Sequence, residues 1–280
     1  MRRLRRDLRA RWCLVLSCLV LAFAARAFGQ GPVAQVPPGT VVRWAGAGTQ
    51  SCSLGKTTFA PLDGVCYYPI DLLRKEGVVD LGRSRGGRRE SLAIRIGAYP
   101  YPVQTLTLPP SQVDLSAEDL ARVRRENADI GRLWGRSGPR QFTLPLHPPL
   151  DPLPEGGRFG SRRVINGQPK SPHSGADYSA GAGEPVLAAA DGTVALADHH
   201  FFAGRSVFLD HGDGLISMYF HLSQVSVEEG QTVSRGQPIG AVGATGRATG
   251  PHLHFGIRWR RAKVAPALLL GDPAGLPEVR

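Results

Sequence analysis

The chain has no apolar run long enough to cross a bilayer. Its longest, Trp12–Ala25, has 14 residues, against the roughly 20 that a spanning helix needs. Cysteine is scarce: the four in the sequence are Cys13, Cys18, Cys52 and Cys66. None of them falls near the histidine motifs described below, so thiolates are not candidate ligands there. No basic run interleaved with aromatic residues follows residue 30, which excludes a nucleic-acid-binding signature. There is no His-Glu-x-x-His, which excludes a helical metal site with a glutamate base. Lysine is nearly absent, and the only one after Lys170 is Lys263.

Arginine supplies most of the formal charge of +11, and much of it sits at the N-terminus. Seven arginines and Asp7 give residues 1–27 a net +6, leaving +5 for the remainder. Arg2, Arg3, Arg5, Arg6, Arg9 and Arg11 precede the apolar run, and Ala25-Arg26-Ala27 places small residues at the −3 and −1 positions of a signal-peptidase site. Residues 1–27 therefore read as a signal peptide, with an uncleaved anchor as the rival reading. Val15-Leu16-Ser17-Cys18 faintly resembles a lipoprotein signal behind too short an apolar stretch. The expected location is exported, in the periplasm or cell envelope, with no stable membrane span after cleavage. The modest positive excess that remains suits an acidic polymer. Cys52 and Cys66, the cysteines left after cleavage, are expected to pair in an oxidising compartment. Closing a loop of about 15 residues is worth roughly 3 kcal/mol in the chain-entropy model. Two buried free thiols are the alternative.

The sequence is organised around Thr249-Gly250-Pro251-His252-Leu253-His254-Phe255-Gly256. Side chains at i and i+2 of a strand share a face, so His252 and His254 are expected side by side. A pair of chance histidines on a solvated strand would give the same pattern. Two upstream segments favour a site. His173-Ser174-Gly175-Ala176-Asp177 sets an imidazole and a carboxylate four residues apart, and Tyr219-Phe220-His221-Leu222 adds an imidazole on a strand-like run. Such ligands can close three corners of a tetrahedral zinc site and leave the fourth for water.

These three segments, in this order, resemble the lysostaphin-type M23 zinc metallopeptidases, the LytM-domain enzymes that cut peptidoglycan peptides. Gly160-Ser161-Arg162-Arg163 and Val233-Ser234-Arg235-Gly236-Gln237-Pro238-Ile239-Gly240 match as well. The resemblance is strong over residues 155–270 and weaker over 103–126, which resemble the segment preceding the catalytic domain in some exported members. It implies that His173, Asp177 and His254 hold one zinc ion per chain. His221 and His252 match the two non-ligand histidines that handle protons and transition-state charge, their roles left undivided. Asn166 resembles a recurring position that shapes the groove or contacts substrate. The implied partner is peptidoglycan, the bond and the oligomeric state being left open.

Taken in order, the expected organisation is mainly β: a small β-sandwich-like domain over 28–110, a connecting helix over 111–135, a proline-rich linker over 136–154 and a LytM-type antiparallel β domain over 155–280. The strands expected before the helix are 41–44, 65–68, 92–96 and 103–108, with no catalytic constellation among them. That module reads as a binding or spacing unit. Ser116 is the expected N-cap of the helix, with Glu118 and Asp119 in its first turn. Pro145, Pro148, Pro149, Pro152 and Pro154 exclude regular structure from the linker, where His147 is read as solvated. Val225 to Gly240 also resembles the hammerhead of lipoyl and biotinyl domains, without their modifiable lysine. His199-His200 reads as part of a hairpin, and His211 and Asp213 as turn residues.

Two other functions compete with a zinc endopeptidase. One is a LytM-like regulator that activates another hydrolase; such regulators typically lack ligand residues, whereas all five positions are kept here. The other is a non-haem iron site of two histidines and a carboxylate, against which export and the two additional histidines weigh.

Overall fold

Strands rich in β-branched and aromatic residues carry the architecture, joined by one long helix, over residues 34–280, the part that this computed structural model describes. The mainly β class expected from the sequence is what is found. The leader over residues 1–27, with Cys13 and Cys18, lies outside the described residues, as do residues 28–33. Among the described residues, no helix is long and apolar enough to cross a membrane.

The larger sheet is antiparallel. Its strands run in the order Thr232–Val233, Gly192–His200, Gly204–Asp210, Leu215–Leu222, Leu253–Trp259, Gly175–Tyr178 and Gly156–Gly157, with Ala262–Val264 also paired to Leu253–Trp259. The reason that last strand sits near the middle is visible in its alternation. Leu253, Phe255, Ile257 and Trp259 are fully buried in the main core, each contributing roughly 1.5–3 kcal/mol relative to exposure. His254, Gly256 and Arg258 fall on the opposite face by the two-residue period. Register then fixes the neighbours: His254 lies opposite Asp177 on one side and opposite Phe220 on the other.

Ahead of this sheet, a five-stranded sheet (Gln35–Val36, Arg88–Ile96, Gly77–Arg85, Thr49–Leu54, Thr57–Phe59) is joined by a two-stranded ribbon of Val41–Ala45 and Val65–Pro69. Trp44, Tyr68, Leu81, Ile94 and Ile96 are buried in one cluster between them. Cys52 of the sheet and Cys66 of the ribbon are joined by a disulfide, with their Cα atoms 5.6 Å apart. The C-terminal residues return to this cluster: Val279 is buried in it and donates its backbone N–H to Arg43 O.

Val103–Leu106 pairs in parallel with Arg162–Ile165, so the segment before the helix is hydrogen-bonded to the segment that leads into the His173 motif. The helix spans Ala117–Leu133; the Ser116 side chain accepts from the Asp119 N–H, as the capping pattern predicts. Its Leu133 packs with Phe208, Ile216 and Met218 of the large sheet, so the helix lies on the sheet rather than bridging space. The proline-rich stretch has neither helix nor strand up to residue 155, yet Phe142, Leu146 and Leu150 are buried in the main core. His147 is half-buried, not solvated, with Nδ1 2.7 Å from Pro148 O.

Candidate active site

Three side chains meet where the His173 motif and the Leu253–Trp259 strand run together. His173 Nε2 lies 2.8 Å from His254 Nδ1 and 3.0 Å from Asp177 Oδ1, and His254 Nδ1 is also 3.0 Å from Asp177 Oδ1. Both imidazoles are buried. His173 Nδ1 is 3.0 Å from Arg158 O; donating its proton there leaves the Nε2 lone pair facing His254 and Asp177. Two imidazole nitrogens and a carboxylate oxygen thus converge within 4.8 Å. Ligands about 2.0–2.2 Å from a tetrahedral ion are separated by roughly 3.3 Å, close to this spacing. The backbone carbonyl behind His173 is the partner that fixes the tautomer of a ligating histidine. The donor set fits a divalent metal ion.

Glycine at position 175 is required by this packing. A Cβ there would stand 2.5 Å from His254 Nε2 and 2.6 Å from Phe255 O. Phe220 stacks on the other side of His254, with ring centroids 5.0 Å apart. Burial pushes the His254 pKa down to about 3. For Asp177, burial alone would raise the pKa, but hydrogen bonds from His173 and His254 outweigh it and hold the carboxyl well below the usual range. Its second oxygen lies 3.6 Å from Arg158.

His221 and His252 stand beside this cluster, with ring centroids 4.8 Å apart. Each is oriented by a carbonyl: His221 Nδ1 is 2.8 Å from Thr245 O, and His252 Nδ1 is 2.8 Å from Gly250 O. Donation to those carbonyls leaves both Nε2 atoms as lone-pair bases, and His252 Nε2 is 3.8 Å from Asp177 Oδ1. His221 has φ 66°, in the left-handed region that non-glycine residues seldom occupy. An unbroken strand would send Phe220 and His221 to opposite faces, yet both line the same cavity. The left-handed residue breaks the alternation, and its strain falls at a functional position. Burial lowers the His221 pKa to about 4, so its imidazole is neutral at pH 7.

All five residues line a cavity of about 730 Å³. Leu120, Val123 and Ile130 of the helix line it too, together with Gln104, Arg163 and Arg247. Asn166 is not among the lining residues. Its side chain accepts from the Leu108 N–H and donates to Leu108 O, both at 2.9 Å, clamping two segments together. His200 lines the cavity and is bonded to Ser206 Oγ. His211 is fully buried, away from the cavity lining, while Asp213 pairs with Arg260 at 2.6 Å. The three orienting carbonyls were invisible in the sequence because every residue type offers one. Arg163 and Arg247 were within reach: each stands in or beside a quoted motif.

Comparison with known proteins agrees with this geometry. The family model for peptidase family M23 matches residues 171–266. A Pseudomonas aeruginosa crystal structure classed with peptidase M23 superposes with a TM-score of 0.64 at 32% identity, covering 86% of this chain and 96% of that one. The chain belongs to peptidase family M23. Two curated relatives from Vibrio cholerae are the peptidoglycan DD-endopeptidases ShyA, 47% identical over 85 residues, and ShyC, 39% identical over 129 residues. These matches cover 30% and 45% of this M23 chain but only 20% and 30% of those relatives. The chain therefore spans less than a third of the length of either.

Proposed function

We propose that this M23 chain is an exported zinc endopeptidase that hydrolyses peptide bonds in peptidoglycan cross-links or stem peptides. His173, Asp177 and His254 would hold one zinc ion, which when bound supplies a Lewis acid and lowers the pKa of water toward about 7. The observation that carries this reading is the meeting of three metal-ligating atoms with two further imidazoles oriented by backbone carbonyls. His252, with 18% of its side chain exposed, is the more open of the two and in this reading would take a proton from an incoming water. His221, neutral through burial, would then hold developing charge or return a proton to the leaving amine. Arg158, 3.6 Å from the other Asp177 oxygen, adds positive charge beside the carboxylate. The naming of ShyA and ShyC as peptidoglycan DD-endopeptidases supports peptidoglycan as substrate.

In this reading residues 155–280 form the peptidase domain and 28–110 a binding or spacing module, joined by the helix and the proline-rich linker. Digestion of purified cross-linked muropeptides by the protein, with products identified by mass, tests the proposal. Cleavage of a peptide bond that disappears on chelation and returns with zinc is the expected result. No cleavage by zinc-loaded protein would reject it.

A further inference from the structure

The cavity carries more positive charge than its known duties require. Its acidic side chains are Asp177 and Glu126. Asp177 is engaged by His173, His254 and Arg158, and Glu126 by Arg122 and the Phe201 N–H. Against them stand Arg158, Arg163, Lys170, Arg247, Arg258 and Lys263. Two of these arginines are close to the histidines. Arg163 lies on the Arg162–Ile165 strand, near enough for its charge to act on His221 and Arg247. Arg247 stands on the loop whose Thr245 and Gly250 carbonyls orient His221 and His252.

Neither guanidinium forms an ion pair among the described residues. Arg163 Nε is buried and has no hydrogen-bond partner. Gln104, directly opposite Arg163 in the parallel pairing, lines the same cavity and likewise has a buried, unpartnered Oε1. Arg247 is held flat by stacking on Phe202, 4.1 Å from the ring centroid, and one of its nitrogens makes a 3.5 Å contact to Gln112 O. Leaving a buried donor unpaired is costly, and Arg163 and Arg247 repel each other, a repulsion that the carboxylate of Asp177, already engaged by His173 and His254, opposes at Arg163 but not at Arg247. A bound anion relieves both. A planar guanidinium fork is the group that binds a carboxylate through two parallel hydrogen bonds.

We infer that Arg163 and Arg247 form a subsite for a free carboxylate of the substrate peptide, next to the bond to be cut. The inference rests on the peptidase reading for the nature of the ligand. It makes the protein selective for acidic peptides over neutral ones of the same shape. Gln104 offers an amide to the backbone flanking that carboxylate. Both arginines act as specificity determinants, and the proton transfers stay with His221 and His252.

The test uses a synthetic peptide containing the scissile bond in two forms, with the flanking carboxylate free or converted to the carboxamide. Binding is measured by calorimetry on versions whose scissile amide is N-methylated, and cleavage on the unmodified pair. Wild-type protein should favour the acid form by roughly 10- to 100-fold, the span of a charge-assisted hydrogen bond. Arg163→Gln and Arg247→Gln should each collapse that preference by weakening the acid form alone, with circular dichroism unchanged. Arg163→Lys keeps the charge without the fork and should retain part of it. Equal binding of both forms by wild type, or an undiminished preference in both glutamine variants, would overturn the inference. So would an equal loss for both forms in a folded variant. Selective binding of the acid form without cleavage of either peptide would sustain the subsite and reject the peptidase reading.

Discussion

At the scale of single residues, what separates the site histidines is which ring nitrogen is already bonded. His173 spends Nδ1 on Arg158 O and turns Nε2 inward, whereas His254 turns Nδ1 inward toward Asp177. His221 and His252 spend Nδ1 on carbonyls and keep Nε2 free. Removing His254 should empty the metal site, because it deletes one of three protein ligands. His252→Ala should keep both zinc and fold, with turnover down roughly 10²- to 10⁴-fold, the usual range for a positioned acid–base group. His221→Ala should behave like His252→Ala. Zinc content, circular dichroism and cleavage rates on the three variants check this together. An empty site in His252→Ala beside a loaded one in His254→Ala would invert the assignment. Gly175→Ala is a separate probe of the same geometry. Its new methyl meets the His254 ring and the Phe255 carbonyl, and overpacking of this kind costs about 1–3 kcal/mol. Zinc affinity and melting temperature should therefore fall together, and a variant matching wild type in both would contradict the packing.

At the scale of elements, legibility followed chemistry. The runs at 41–44 and 65–68 were readable because β-branched and aromatic residues cluster there, and the helix because Ser116 and the acids after it mark its start. The Gly175–Tyr178 strand was not, since its glycine and alanine have no strand preference; pairing with Leu253–Trp259 creates it. Nor does any local pattern announce that Val103–Leu106 pairs with Arg162–Ile165, across a gap filled by the helix. The His173, Asp177, His221, His252 and His254 cluster was legible through the resemblance of its three motifs, in their order, to the M23 family; spacing alone pairs only His173 with Asp177 and His252 with His254. The left-handed turn at His221 that completes it was not. The Cys52–Cys66 pair links a strand of the five-stranded sheet to the ribbon beside it. Replacing both cysteines by serine should lower unfolding stability by about 3 kcal/mol, read as a lower denaturant midpoint with a slope that is the same or steeper, since the unfolded chain loses its cross-link. Alkylation of the non-reduced wild-type protein should find neither thiol free, and two labelled cysteines would break the link.

At the scale of the whole molecule, the response to acid is set partly by an imidazole outside the cavity. His211 sits in the turn between Gly204–Asp210 and Leu215–Leu222, where the sequence showed only glycine and aspartate. Its ring is fully buried, with Nδ1 2.7 Å from Asp191 O and Nε2 2.7 Å from Ser217 Oγ. The Ser217 and Tyr219 hydroxyls lie 3.0 Å apart, and Tyr219 accepts from the Ala189 N–H. Burial lowers the His211 pKa to about 4, against smaller raising contributions from the Asp191 hydrogen bond and the charges of Asp210 and Asp191. The unfolded chain takes up this proton near pH 6.5, whereas the folded protein refuses it until about pH 4. Between those values the unfolded state binds more protons, so stability falls as pH falls and levels off below about 4. The single group accounts for a loss on the order of 3 kcal/mol. Denaturant unfolding of the wild type from pH 7.5 to 4 should show that decline. In His211→Gln, which keeps polar atoms but cannot titrate, stability at pH 7.5 should be lower and its fall toward pH 4 correspondingly shallower. Parallel curves for the two proteins would place the acid sensitivity elsewhere.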